Sequence, residues 1–122
     1  MMLRRRSAIL AAALLVATAA PALAHAYPKT MAPAPNSTVN APPKEVVINF
    51  TQALIPNFSS LEVVNSAGER VDRNDAHVAP HDHQRYIIDL TSLAPGTYKA
   101  IWHATSVDTH KTHGSYNFTV RR

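Results

Sequence analysis

Between Val46 and Phe50 the chain is apolar at every second position, with Val46, Ile48 and Phe50 on one side and Val47, Asn49 and Thr51 on the other. A period of two belongs to a β-strand with one face buried, and it recurs along the chain. Leu61 and Val63 alternate up to the turn signal Asn65-Ser66-Ala67-Gly68, with Val71 on a short return. Tyr86, Ile88 and Leu90 share a face over residues 85–90. After the turn at Leu93-Ala94-Pro95-Gly96, a strand is predicted over 97–106. It carries Tyr98, Ala100, Trp102 and Ala104 on one face and Lys99, Ile101, His103 and Thr105 on the other. A last strand over about 114–121 alternates Tyr116, Phe118 and Val120 with Ser115, Asn117 and Thr119. With a first strand near Tyr27, this makes about seven short strands. The fold class that follows is all-β, an antiparallel β-sandwich or barrel, with Trp102 in its core. Two stretches break the pattern. Met31 to Pro43, with four prolines, reads as an ordered extended connection, and the polar run Asp72 to Gln84 reads as a loop.

The first 24 residues differ from the rest. Arg4, Arg5 and Arg6 precede an apolar run from Ala8 to Ala20, and Ala22-Leu23-Ala24 ends the segment in small residues. Positive start, short apolar middle and small-residue exit are the layout of a secretory signal. The run falls short of the roughly 20 apolar residues a membrane-spanning helix needs. Residues 1–24 are therefore expected to be a signal peptide cut before His25, leaving residues 25–122 as one domain. A domain of this size buries roughly 60–70% of its unfolded surface, enough for a core without a staple. The three arginines supply most of the formal +4 charge. Without them the domain is close to neutral, which removes any argument for nucleic acid as a partner.

The chain has no cysteine but seven histidines. Disulfides, thiolate metal sites and a cysteine nucleophile are excluded together, so a metal would be held by nitrogen and oxygen. Cleavage would put His25 first, where a free α-amine and its own imidazole can chelate one ion. The amine has an ordinary pKa near 8 and gives up its proton to a competing metal. A second feature is Asp108-Thr109-His110. If the backbone there is extended, the carboxylate and imidazole project to the same side and Thr109 points away. One amine, two imidazoles and a carboxylate suit tetragonal Cu(II), which also binds such donors most strongly of the divalent first-row ions. Met31 is the only sulfur after cleavage, so nothing selects Cu(I).

The same residues carry a resemblance. From Leu93 onward, LAPGTYKAIWHATSVDTHKTHGSYNFTV is similar to the C-terminal half of the CopC family of periplasmic copper-resistance proteins. The shared features are the G-T-Y-K strand start, W-x-A-x-S-x-D-x-H, and the closing G-S-x-x-F-x-V. The start HAYPKTMAPAPNSTV and the segment VVINFTQAL also resemble that family. The resemblance implies a small Greek-key, immunoglobulin-like β-sandwich in the periplasm that binds Cu(II) through His25, Asp108 and His110. It implies a copper carrier or buffer rather than an enzyme, acting as a monomer with an inner-membrane copper transporter as partner. Where some members carry glutamate in F-[ST]-E, this chain has Gln52. Where members with a Cu(I) site carry several methionines, it has none, so no methionine-based site is expected.

Other readings stay open at this point. His77, His81, Asp82 and His83 could form a second imidazole site or simply a polar loop. His103 reads as a surface or structural residue, and His113 as a partner of the metal ligands or an alternative ligand. A histidine-brace copper oxidase would also use an N-terminal histidine. It needs an open coordination position and a broad substrate platform, and Asp108 and the small domain argue against both. A metal-free adhesion sandwich is the remaining class.

Overall fold

The computed structural model describes residues 25–122; the expected signal segment, 1–24, lies outside the described residues. Eight strands follow in order: β1 (Pro28–Ala32), β2 (Thr38–Val39), β3 (Glu45–Phe50), β4 (Ser60–Val64), β5 (His77–Ala79), β6 (Asp82–Asp89), β7 (Gly96–Thr105) and β8 (Lys111–Val120). A single 3-10 turn, Pro56–Phe58, precedes β4. The strands form two four-stranded sheets, ordered β1-β3-β6-β5 and β2-β8-β7-β4. All pairings are antiparallel except β2 with β8.

The predicted alternation places the core between the sheets. Val46, Ile48, Phe50, Tyr86 and Ile88 enter it from the first sheet, and Leu61, Val63, Tyr98, Ala100, Trp102, Ala104, Tyr116, Phe118 and Val120 from the second. Trp102 meets the Phe50 ring edge-on, with centroids 5.3 Å apart and planes at 76°. Such a pair adds about 0.5–1.5 kcal/mol beyond its buried area. Trp102 fits because its partner across the β7–β8 ladder is Gly114. A Cβ on Gly114 would lie 2.7 Å from the indole Cζ2, closer than packed atoms tolerate.

Four local expectations change. Residues 72–84 are not a plain loop: β5 and the start of β6 pair within them, with Val78 opposite Tyr86 and partly buried against the core. Only one apolar side chain of this short edge strand points inward, so no period could be read. The proline-rich connection contains the end of β1 and also β2, whose Thr38 and Val39 align with Thr119 and Val120. Val71 returns by single bridges flanking it, Val64 with Arg70 and Asp72 with Leu90, rather than as a strand. Thr105, placed on the outer face, is buried. Segment 56–59 folds over the end of β7, where the Phe58 carbonyl accepts from Thr105 Oγ1 at 2.6 Å and Ser59 Oγ accepts from the Thr105 amide at 3.0 Å.

Gly114→Val should lower stability by about 1–3 kcal/mol, the usual cost of overpacking. Denaturant unfolding followed by the fluorescence of Trp102, the only tryptophan, measures it. An unchanged midpoint would show that the indole has room to move.

Candidate metal centre

The site lies at one end of the sandwich, where β3 and β7 finish and β6 and β8 begin. Two segments without regular strand geometry meet there, and each is tied down by hydrogen bonds. The first is His25–Tyr27. Thr112 Oγ1 on β8 donates to the Ala26 carbonyl at 2.6 Å. Thr51, just past β3, donates from its hydroxyl to the His25 carbonyl at 3.2 Å and from its amide to the Tyr27 carbonyl at 2.8 Å. Its hydroxyl also accepts from the Tyr27 amide at 3.0 Å. Ala26 itself is fully buried. The segment His25–Tyr27 is thus fastened to both sheets at once.

The second segment is the β7–β8 turn, Ser106 to His110. The Thr109 amide donates to the Ser106 carbonyl at 2.7 Å, the Ser106 amide to the His110 carbonyl at 3.0 Å, and the Val107 amide to the Ala53 carbonyl at 3.0 Å. Thr109 takes φ 73°, in the left-handed region that β-branched residues avoid. The expectation of extended backbone through Asp108-Thr109-His110 is therefore corrected. The two side chains still meet, but because a tight turn folds one onto the other. His110 Nδ1 lies 3.1 Å from Asp108 Oδ2, and the His110 amide donates to Asp108 Oδ1 at 3.2 Å.

These two segments bring together residues 83 positions or more apart in sequence. The His25 and His110 rings lie 4.5 Å apart between centroids, with planes at 52°. His25 Nδ1 is 3.2 Å from the Tyr27 hydroxyl. Asp108 is half-buried and the His110 side chain more exposed. His25, Asp108 and His110 are neighbours, yet among the described residues no three His, Asp or Glu side chains already converge on one point. The His25 ring faces Tyr27 and the His110 ring faces Asp108, and peptide-bonded to Ala24 the His25 nitrogen is an amide. Rotation of the two rings and release of the amine are what convergence requires.

The electrostatics favour an anion at Asp108. The Ser106 hydroxyl donates to its Oδ1, and this bond, opposed by partial burial and helped by the His110 ring and amide, holds the carboxyl at about 2. A carboxylate kept ionised so far into acid is a standing negative charge beside two imidazoles. It can orient a neutral ring or take part in binding a cation.

The other named residues fall elsewhere. Gln52 is half-buried in the segment following Thr51. His77 Nδ1 donates to the Asp75 carbonyl at 2.7 Å and lies opposite Ile87, while His81 and His83 flank Asp82 at the exposed β5–β6 turn. The structure does not gather them into one group. His113 sits across β7–β8 from His103, on the outer face rather than beside His110. Sequence reading missed Thr51, Thr112, Tyr27 and the role of Ser106. Of these only Ser106 left a trace, the second-position spacing S-x-D that matches D-x-H.

A two-sheet β-sandwich that brings His25, Asp108 and His110 together at one end defines a narrow class of architecture. The CopC domain model matches residues 29–121. The chain is 36% identical over 99 residues to Protein YobA of Escherichia coli K12, covering 80% of each chain. It is 34% identical over 121 residues to copper resistance protein C of Escherichia coli, covering 93% of this chain and 95% of that one. The crystal structure of CopC from Methylosinus trichosporium OB3b superposes with a TM-score of 0.75 at 29% identity, over 80% of this chain and 94% of that one. The chain belongs to the CopC family.

Removing the Ser106 hydroxyl should raise the Asp108 carboxyl toward the ordinary range near 4. Because Asp108 titrates below that range in the folded chain, its contacts favour the fold above about pH 4 and are lost as pH falls toward about 2. Carboxyl titration by NMR in Ser106→Ala tests this. An unmoved Asp108 would assign the depression to His110 instead.

Proposed function

We propose that the chain is a periplasmic Cu(II) carrier or buffer of copper resistance. In this reading export removes residues 1–24, and the metal is then held by the His25 amine and imidazole, the His110 imidazole and the Asp108 carboxylate. The observation that carries the reading is the 4.5 Å approach of the His25 and His110 rings beside Asp108, at a backbone position that Thr51 and Thr112 fix from both sheets. The names of the relatives supply the metal, and the nitrogen and oxygen donor set favours Cu(II) within it. The chain acts without catalysis, as a monomer. Among the described residues the exposed large apolar side chains are Tyr27, Phe58 and Val107. They come from segments at the same end and offer a rim on which a membrane copper transporter can dock for transfer.

The test is Cu(II) affinity with and without a free amine at His25. One extra residue ahead of His25 should abolish most high-affinity binding; equal affinity would overturn the assignment. His110→Ala should weaken binding but leave the amine–imidazole chelate, and His25→Ala should cost at least as much. Electron paramagnetic resonance should show a tetragonal spectrum with nitrogen coupling that changes in His110→Ala. Protons compete for imidazole nitrogen, so affinity should fall as the solution is acidified below about pH 6.5. Cu(I) should bind poorly, and reductant turnover with oxygen would point to the oxidase alternative.

A further inference from the structure

The β7–β8 ladder places two more histidines face to face on the outer surface of the second sheet. His103 and His113 are direct cross-strand partners. Their rings are close to parallel, with planes at 26° and centroids 5.9 Å apart. Both are exposed, so neither ring contributes to the core that fills the other face of the same strands. His103 Nδ1 is 3.3 Å from the hydroxyl of Ser60, its partner on the opposite side in β4. That contact orients the ring and leaves Nε2 directed away from the serine.

We propose that His103 and His113 form a solvent-facing, two-imidazole clasp for a divalent transition-metal ion, Cu(II) foremost, separate from the N-terminal site. Side chains directly opposite in an antiparallel pair have Cβ atoms about 4.5–5.5 Å apart. Metal–imidazole bonds of about 2.0–2.1 Å are met when the two rings lean toward each other, and the strand ladder keeps their bases at fixed spacing. Tetragonal Cu(II) accepts two adjacent nitrogens and completes its shell with water. A metal-binding histidine is commonly held through its other ring nitrogen by a hydrogen-bond partner, and Ser60 stands in that position to His103.

The clasp is a different site from the first. His113 lies three positions beyond His110, about 10 Å of extended strand, and the pair lies on the outer face while Asp108 and His110 lie at the hairpin tip. It offers two donors and no carboxylate, and the cation Lys111, paired with Thr105, lies two ladder positions away. It should therefore fill only after the N-terminal site. One hairpin would then carry both stations, and the second would extend the carrier's capacity when copper is abundant.

The test uses residues 25–122, which contain both sheets and the whole described core, with His25→Ala and His110→Ala. The N-terminal site is disabled in that protein, so the outcome does not depend on whether that site is correctly assigned. Cu(II) is titrated while the imidazole proton signals of all histidines are followed by NMR. The signals of His103 and His113 should broaden together, ahead of those of His77, His81 and His83. His113→Ala should abolish the selective response of His103, and Ser60→Ala should weaken it by about tenfold, the scale of losing a partner behind a ligand. Trp102 fluorescence confirms that each variant is folded. Equal broadening of every exposed histidine, or an unchanged response of His103 in His113→Ala, would overturn the clasp.

Discussion

The ten-residue ladder between β7 and β8 is the interaction on which the other parts of the molecule depend. Every residue of β7 has a partner in β8, and the register allows no slip, because a shift of one would turn either Trp102 or Tyr116 and Phe118 out of the core. Gly114 locks the same register from the other direction by leaving room for the indole. The ladder also ends in the turn that carries Asp108 and His110. Site geometry and core packing are therefore one problem: whatever holds Trp102 against Phe50 also holds the tip of the hairpin in place.

Two departures from ordinary local behaviour appear where that tip closes. Thr109 adopts a left-handed backbone without being glycine, and Asp108 is kept charged by its neighbours deep into acid. Departures of this kind persist where surrounding structure over-determines them, and they gather at functional positions. The turn is anchored from outside by the Val107 amide on Ala53 and by the bridge between Leu54 and Ser106. The segment leaving β3 thereby supports the hairpin tip on one side and, through Thr51, the segment His25–Tyr27 on the other.

Most of the fold was legible because its strands bury one face each. Val46-Ile48-Phe50, Tyr86-Ile88-Leu90 and Tyr98 to Ala104 announce themselves by period, and all of them line the core. β2 and β5 were not legible: two or three residues are too few to show a period, and their pairing is decided by partners far along the chain. The candidate ligands could be named from chain position and the D-x-H spacing, but the reason Asp108 and His110 meet could not, since a tight turn and an extended strand place residues two apart together by different routes. Thr51 and Thr112 are unremarkable in sequence. Their role exists only because the ends of two sheets face the same three residues.

The burial of Ala26 gives the sandwich the character of a gauge. Its methyl group sits inside the core while its carbonyl is taken by Thr112 and its neighbours' carbonyls by Thr51. A strand register that has been lost at one position can often be regained by sliding, but this segment has no such freedom: a shift of one would drive either Tyr27 or His25 into a space sized for a methyl group. The fold thus counts residues along this segment, and allows a single position on the chain to stand opposite His110.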